Sequence, residues 1–413
     1  LIVIWMRGKW NKLFKIEYTK KELKEKFNIE MWTDEKIRSF QKILMDWYDQ
    51  QETDHNFPWR ESGAPYNIWV SEIMLQQTRT DTVIPYYERF IEAFPTIKSL
   101  AEASEDQVLK MWEGLGYYSR ARNLREAAQQ IMIHHGGIFP NNPKEIIQLK
   151  GIGPYTAGAI SSMAFGLPTP AIDGNLMRVL SRLFEIDLDI TKAKNRKVFE
   201  TVALYLIDEE RPGDFNQALM DLGRTICTPK NYFPERSPVK EFNASYLNDT
   251  WHKYPVKKAK NKPKPLTYLS LVIQNEMGEY LLEKRPDTGL LANTWQFPMI
   301  QVEEIVTDGT WKPFEPIILE TLNRENKMYT EQFIEEKYNL PITINDQTSG
   351  VVEHIFSHLK WSVSIFNGEK IASSLNQEIP KNCEWVKPQD FDQYTFSTVQ
   401  KKIWTNFTEI TLF

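Results

Sequence analysis

A glycine turn followed by a lone aspartate constrains the fold of this chain more than any other feature. Residues 149–158 read Leu-Lys-Gly-Ile-Gly-Pro-Tyr-Thr-Ala-Gly, and Asp173-Gly-Asn175 follows after an apolar stretch. The two glycines let backbone N–H groups point outward and approach an anion closely. Pro154 suits the first turn of a helix, where its missing N–H would be unsatisfied anyway. The segment therefore predicts a hairpin near residues 146–166 that holds phosphate beside a positioned carboxylate, an arrangement that suits DNA.

Composition and charge indicate a folded protein with more than one core. The chain has 413 residues, of which 41% are hydrophobic, and a length of this order suggests roughly two or three domains. Its net charge of −5 gives no global sign of nucleic-acid binding, so any contact with DNA must use local basic surface. The two cysteines, Cys227 and Cys383, argue against a disulfide framework and favour a reducing, cytoplasmic location.

The residue pattern divides the chain into four parts. Residues 31–250 are predicted to form a helical domain, because the pattern is helical nearly throughout from about residue 33 to residue 226. Residues 251–265 form a linker with six lysines, three prolines and no acid, typical of a stiff extended connector. Residues 266–413 change to a strand rhythm and predict a separate α+β domain. Residues 1–30 are lysine-rich and are interpreted as an extension, with the functional chain starting near Met31.

Local signals in the second domain predict its main strands. Leu269, Leu271 and Ile273 alternate with polar residues, residues 275–278 can turn, and residues 280–282 can return as a hairpin partner. Residues 350–366 predict two further strands, and residues 391–407 predict a terminal helix.

Asp173 admits two interpretations. Aspartate is a preferred helix N-cap, so a purely structural role is possible. A capping aspartate is also rigidly aimed, and it can still present one oxygen to a substrate. Three polar-aromatic segments favour the second role: residues 57–60 (Phe-Pro-Trp-Arg), residues 69–78 and residues 114–123.

These segments, taken together, resemble the adenine DNA glycosylases of the MutY family, in the helix-hairpin-helix glycosylase superfamily. The shared motifs are Ser-Glu-x-Met-Leu-Gln-Gln-Thr, Gly-Leu-Gly-Tyr-Tyr-x-Arg-Ala-Arg-Asn, Gly-x-Gly-x-x-Thr-Ala-Gly, Asp-Gly-Asn and Met-Asp-Leu-Gly. The resemblance runs from about residue 33 to residue 366. It implies a mostly α catalytic region with two helical subdomains and a Nudix-like α+β domain at the C-terminal end. It also implies a monomer that excises adenine mispaired with 8-oxoguanine or G from duplex DNA, with no membrane attachment.

The resemblance assigns the chemistry to two carboxylates. The target base must leave the stack, the adenine must be protonated to depart, and the sugar develops oxocarbenium character. Glu72, on an apolar helix, would have a raised pKa and protonate adenine N7, whereas Asp173 would stay ionised and stabilise the sugar cation. The alternative for Glu72 is a solvated helix residue.

Tyr155 limits the expected reaction to base removal. In relatives similar to endonuclease III a lysine at this position forms a Schiff base, and tyrosine cannot do that chemistry. The resemblance therefore implies a monofunctional enzyme in which Tyr155 and Asn175 support Asp173. The alternative for Tyr155 is a buried helix aromatic.

The resemblance also carries over contacts with DNA. Arg60 and Gln217 would lie in the adenine pocket, where an amide can pair with the base edge. The expected contacts with the DNA stack and backbone are Gln77, Tyr117, Gly151, Gly153, Arg120, Arg122 and Arg178, although each arginine alone could be an ordinary surface charge. The segment expected to read 8-oxoguanine is Phe356, Ser357 and His358.

The chain departs from the family at its cofactor. Relatives place four cysteines for a [4Fe–4S] cluster where this chain has Cys227, Pro234, Ser237 and Asn243, so we expect no cluster and no metal. Aromatic and apolar packing of the loop, including Tyr232, Phe233, Val239, Phe242 and Tyr246, would replace it. In the second domain Arg324-Glu325 and Glu335-Glu336 have the wrong separation for a Nudix metal site, so we expect no hydrolysis there.

Three other functions remain as alternatives. A thymine glycosylase acting on G·T mismatches can share the tyrosine, but the Phe-Ser-His segment argues against it. A non-catalytic paralogue that binds damaged DNA would not need both Glu72 and Asp173. A Nudix pyrophosphohydrolase is disfavoured by the incomplete metal site.

Overall fold

The computed structural model describes residues 16–50, 57–230, 232–258, 262–302, 320–371 and 378–411. Its contacts divide the chain into two compact units, one of Leu1–Glu102 with Asn123–Ala259, and one of Ala103–Arg122 with Lys260–Phe413. The later boundary falls inside the predicted linker. Residues 103–122 differ from the expectation, because the sequence placed them in the helical domain whereas they belong to the second unit.

The first unit is helical over its described residues. Four of its longer helices begin with a residue suited to a helix start: Pro65, Pro154 and Pro212 at the first position, and Asp173 as the cap. Its helices are Lys20–Phe27, Asp34–Gln50, Pro58–Glu61, Pro65–Leu75, Thr80–Ala93, Ile97–Glu102, Pro143–Ile146, Pro154–Phe165, Gly174–Phe184, Arg196–Leu206, Pro212–Thr225 and Ala244–Leu247. Helix Ser119–His134 contains the unit boundary at residue 122.

The first unit includes residues that the sequence placed outside its fold. Helix Lys20–Phe27 begins with a capping box between Thr19 and Glu22. Leu23 and Ile29 are fully buried in the core formed by helices Asp34–Gln50 and Gly174–Phe184. The interpretation of residues 1–30 as an extension is therefore wrong for residues 16–30, because Leu23 and Ile29 are part of that core. Residues 1–15 lie outside the described residues.

The second unit contains a mixed sheet. Strand Lys264–Gln274 is central: it pairs in parallel with Leu359–Lys370 and antiparallel with Tyr280–Lys284. The remaining elements are the strands Trp295–Gln296, Met299–Gln301, Ile342–Ile355 and Cys383–Val386 and the helices Glu105–Met111, Arg324–Tyr338 and Thr398–Thr411. The predicted hairpin at residues 275–278 and the two strands across 350–366 are confirmed.

The predicted terminal helix begins later than expected. Residues Pro388–Gln393 form a 3-10 turn, Tyr394 is extended, and the α-helix starts at Thr398. The predicted fold class, a helical region followed by an α+β domain, is confirmed. None of the helices in the described ranges is both long and apolar enough to cross a membrane.

Candidate active site

Three segments that are far apart in the sequence meet at one cavity of the first unit. The cavity has a volume of about 550 Å³. Glu72 comes from helix Pro65–Leu75, Tyr155 from helix Pro154–Phe165, and Asp173 from the start of helix Gly174–Phe184. The cavity is also lined by three other residues that the sequence analysis selected, Arg60, Asn175 and Gln217.

Glu72 is buried rather than solvated. Glu72 is only 5% exposed, and the next two residues of its helix, Ile73 and Met74, are buried as well. The Tyr155 hydroxyl donates a hydrogen bond of 2.7 Å to Glu72 Oε2. Burial raises the pKa of Glu72 to about 7, although the bond from Tyr155 and the charge of Arg60 oppose it. The carboxyl can therefore hold a proton near neutral pH, and the solvated alternative for Glu72 is wrong.

Asp173 is both a helix cap and a residue of the cavity. Its Oδ1 accepts a bond of 2.7 Å from the backbone N–H of Leu176, and its Oδ2 accepts one of 2.8 Å from Asn175 Nδ2. Burial nevertheless raises the pKa of Asp173, with the bonds from Leu176 and Asn175 opposing that rise.

The loop that leads into Asp173 is held in place by hydrogen bonds from two residues, the buried Asn216 and Arg196. Asn216 Oδ1 accepts from the backbone N–H of Ala171 at 3.1 Å, and its Nδ2 donates to Thr169 O at 2.8 Å. Arg196 Nη2 donates to Ile172 O at 2.7 Å. Sequence reasoning missed both residues, and the only signal for Asn216 was a polar residue beside Gln217 in an otherwise apolar helix face.

Arg60 is held over the cavity by an ion pair. Its Nη1 lies 3.1 Å from Asp221 Oδ2, and its guanidinium stacks at 5.0 Å from the ring centroid of Phe57. Asp221 is the carboxylate of the Met-Asp-Leu-Gly motif, to which the sequence analysis assigned no role. Gln217 is half-buried on the same helix, Pro212–Thr225, and lines the cavity.

The two hairpin glycines serve different needs. Gly151 has φ +76°, and a Cβ there would lie 2.7 Å from Asn123 Cβ, so the fold itself requires glycine. Gly153 caps helix Pro154–Phe165 with extended backbone (φ −92°), and a Cβ there would enter open space. The protein therefore does not require glycine at 153, and its absent side chain leaves the surface open for an approaching ligand.

Two of the arginines predicted to contact phosphate are instead buried. Arg178 donates to Asn175 Oδ1 at 2.9 Å and to the carbonyls of Gly223 and Cys227 at 2.7 Å each. Its prediction as a DNA contact is wrong, because packing has turned its guanidinium inward, where it orients the amide that bonds Asp173.

Arg120, in the second unit, is buried in the same way. Its Nη2 donates to Gly116 O at 3.1 Å, and its guanidinium lies 5.3 Å from the rings of both Trp112 and Tyr117. Burial lowers the pKa of Arg120 to about 10. The predicted phosphate contact is again wrong, since this side chain supports the turn that carries Tyr117.

A second cavity, of about 290 Å³, lies in the second unit. Tyr117 and Ser357 line this cavity, and their hydroxyl oxygens are 2.8 Å apart in a hydrogen bond. The sequence analysis did not predict this bond. Phe356, Ser357 and His358 form the turn between strands Ile342–Ile355 and Leu359–Lys370. Arg122 lines the same cavity and donates from Nη1 to Ala292 O at 2.8 Å.

The two residues expected to enter the DNA stack have unusual backbones. Gln77 has φ +59° and Tyr117 has φ +50°, a region that side-chain-bearing residues rarely adopt. Gln77 is exposed just beyond helix Pro65–Leu75, in the first unit, and Tyr117 is 45% exposed. Both side chains are therefore presented to solvent at a cost in backbone strain.

Side chains pack together in the region where the resemblance would place an iron–sulfur cluster. Arg182 Nη1 lies 3.2 Å from Cys227 Sγ, and its guanidinium lies 4.1 Å from the ring of Tyr232. Asn243 Nδ2 donates to the Tyr232 hydroxyl at 2.7 Å. Tyr232, Val239 and Phe242 join the core as expected, whereas Phe233 is 48% exposed. One thiol beside a proline, a serine and an amide does not provide the thiolates that a [4Fe–4S] cluster needs.

Comparison with known proteins first defines the class. Residues 70–203 match the HhH-GPD superfamily base excision DNA repair proteins, and residues 269–406 match the NUDIX domain. Three similar relatives are adenine DNA glycosylases: that of Homo sapiens (31% identity, covering 89% of this chain and 73% of the relative), that of Schizosaccharomyces pombe (31%, 82% and 83%), and that of Buchnera aphidicola subsp. Baizongia pistaciae (39%, 63% and 73%). The chain belongs to the adenine DNA glycosylase family.

Proposed function

We propose that this protein is a monofunctional glycosylase that removes adenine paired with 8-oxoguanine or G from duplex DNA. The observation that carries the proposal is a pair of carboxyl groups, the buried Glu72 and the half-buried Asp173, on one cavity that also holds Arg60 and Gln217. Family membership supports the same assignment, since the relatives are named adenine DNA glycosylases.

The two carboxyl groups divide the chemistry. A pKa of about 7 lets Glu72 hold a proton at neutral pH and donate it to N7 of an adenine in the cavity. Protonation weakens the N-glycosidic bond, and the sugar gains positive charge as the bond breaks. Asp173, oriented by Leu176 and Asn175, stabilises that charge in its ionised form. The adenine leaves as the neutral base, and a water molecule adds to the sugar carbon and releases one proton.

Tyr155 supports hydrolysis without strand cleavage. Its hydroxyl is committed to Glu72, and burial raises its pKa well above the ordinary value, so it stays protonated. It offers no amine for a Schiff base. We therefore infer that the enzyme leaves an intact abasic site and has no lyase activity of the lysine type.

The second unit provides recognition of the partner base. The turn at Phe356–His358 presents the Ser357 hydroxyl beside that of Tyr117, and a hydroxyl can both donate to and accept from the altered edge of 8-oxoguanine. Arg122 on the same cavity offers remaining guanidinium donors to phosphate. Helix Arg324–Tyr338 lacks the acidic spacing of a Nudix hydrolase, which supports recognition without hydrolysis.

We also propose that the enzyme works without an iron–sulfur cluster. The donor set at Cys227, Pro234, Ser237 and Asn243 supports this, and so does the network of Arg182, Tyr232 and Asn243 in the same region. Across the described ranges there is also no group of three or more metal-ligating side chains. Iron analysis and visible absorbance test whether a cluster is present: stoichiometric iron with a broad absorbance band at about 400 nm would contradict the proposal.

A panel of duplexes tests the proposed function. Each duplex carries A opposite 8-oxoguanine, A opposite G, or T opposite G, and is treated with alkali after incubation. We expect cleavage of the adenine strands only, loss of that cleavage in Asp173→Asn, and no cleavage before alkali. Cleavage of the thymine strand favours the mismatch thymine glycosylase, and tight binding without cleavage by the wild type favours the non-catalytic paralogue.

A further inference from the structure

The charge of this chain is unevenly distributed. Residues 251–265 contribute six lysines and no acid, and subtracting these six charges from the net −5 leaves −11 on the rest of the chain. A net negative protein repels the phosphate backbone at long range, so it binds DNA only through concentrated basic surface. Two of the arginines expected to supply that surface, Arg120 and Arg178, are buried. Their burial leaves phosphate binding to other groups of the chain, among them other exposed cations.

The first part of the linker is fastened to the first unit. Arg182 Nε donates to Tyr254 O at 3.1 Å, and the backbone N–H of Ile190 donates to Val256 O at 3.1 Å. Trp251 packs edge-on against Tyr232, with ring centroids 5.6 Å apart. These contacts fix the backbone that carries three exposed lysines, Lys253, Lys257 and Lys258. None of the three forms a salt bridge with any described residue.

The last part of the linker belongs to the second unit. The backbone N–H of Lys264 donates to His358 O at 2.9 Å, and Lys264 begins the strand that pairs in register with Leu359. Lys264 therefore lies beside the turn that carries Ser357. Its side chain and that of Lys262 are exposed, and neither forms a salt bridge among the residues that the structure describes.

We propose that Lys253, Lys257, Lys258, Lys262 and Lys264, here called the linker lysines, bind the phosphate backbone of duplex DNA. They do so regardless of sequence or damage, because an ammonium contacts a phosphate as a point charge. Since fixed backbone carries them, less chain entropy is lost on binding than for a free tail. This inference rests on the proposed function only in taking duplex DNA as the ligand.

Salt dependence of binding separates this role from a general charge effect. We compare the wild type with Lys257→Gln/Lys258→Gln and Lys262→Gln/Lys264→Gln. The control is Lys381→Gln/Lys387→Gln, which removes two exposed lysines of the second unit and changes the net charge equally. Affinity for an undamaged duplex is measured by fluorescence anisotropy between 50 and 200 mM salt. Each lost phosphate contact lowers the slope of log K against log salt by about 0.9, so each linker pair lowers it by about 2.

Across this range of salt, we expect each linker variant to lose about tenfold less affinity than the wild type loses. The control variant should lose as much affinity as the wild type. The same loss should appear on duplexes with A opposite 8-oxoguanine, while the single-turnover excision rate at saturating enzyme stays unchanged. Linker slopes equal to the control's would overturn the proposal. Failure of the wild type to excise adenine would overturn the proposed function instead, because the slopes on undamaged duplex do not depend on excision.

Discussion

Glu72→Gln is the substitution that probes the active site most sharply. The amide has nearly the same shape as the carboxyl and still accepts the hydrogen bond that the Tyr155 hydroxyl now gives to Glu72 at 2.7 Å. It cannot ionise and cannot donate a proton as an acid. The variant should therefore fold like the wild type, while the excision rate falls by about 10²- to 10⁴-fold, the usual contribution of a general acid.

The magnitude of the effect on stability follows from the pKa. Burial raises the pKa of Glu72 from 4.5 to about 7, and each pKa unit corresponds to about 1.36 kcal/mol. The folded state therefore binds a proton that the unfolded state releases. The associated stability is fully present below about pH 4.5 and is lost as the pH rises through 7, by about 3 kcal/mol in total.

The assay is chemical denaturation of both proteins at several pH values from 4.5 to 8.5. As the pH rises across this range, the unfolding free energy of Glu72→Gln minus that of the wild type should increase by about 3 kcal/mol, because only the wild type loses its bound proton. The single-turnover excision rate of the wild type should fall over the same pH interval. Parallel stability curves for the two proteins would refute the buried, protonated Glu72 on which the mechanism depends.

Further predictions concern the residues around Glu72. Tyr155→Phe removes a hydrogen bond that lowers the pKa of Glu72, so the high-pH limb of the excision profile should move to higher pH; an unmoved or lower limb would contradict this. Gly151→Ala should lower the free energy of unfolding by about 1–2 kcal/mol through strain at positive φ. Gly153→Ala should leave the free energy of unfolding unchanged and weaken duplex binding. Equal losses of stability in the two variants would refute this distinction. Asn216→Leu should cost about 1–3 kcal/mol in denaturation and slow excision more than it weakens binding; full activity would show that the loop before Asp173 needs no such anchor.

Motifs with local physical causes were the part of the fold that the sequence could predict. The alternation at Leu269, Leu271 and Ile273 and the turn after it specify a hairpin without distant information, and the structure has that hairpin. The N-cap role of Asp173 is equally local, because aspartate before a helix satisfies its first N–H groups. Asp173, Glu72 and Tyr155 lie on one cavity, as the family resemblance implied.

Long-range packing determined what the sequence could not predict. Whether an arginine faces DNA or the core depends on which carbonyls surround it, and Arg178 bonds the carbonyl of Gly223, 45 residues away. The balance at Asp173 likewise depends on burial by distant helices, which outweighs its local N–H donors. Residues 103–122 belong with the second unit for the same reason, since they have partners far along the chain, such as Ser357 for Tyr117, 240 positions away.

Release of free adenine tests the central claim most directly. A duplex with one A opposite 8-oxoguanine is incubated with excess enzyme near pH 7, and the liberated base is quantified by mass spectrometry alongside duplex binding. The account predicts one adenine per duplex from the wild type, and none from Asp173→Asn although that variant still binds. No adenine from a wild type that binds the duplex, or equal release by Asp173→Asn, would contradict it.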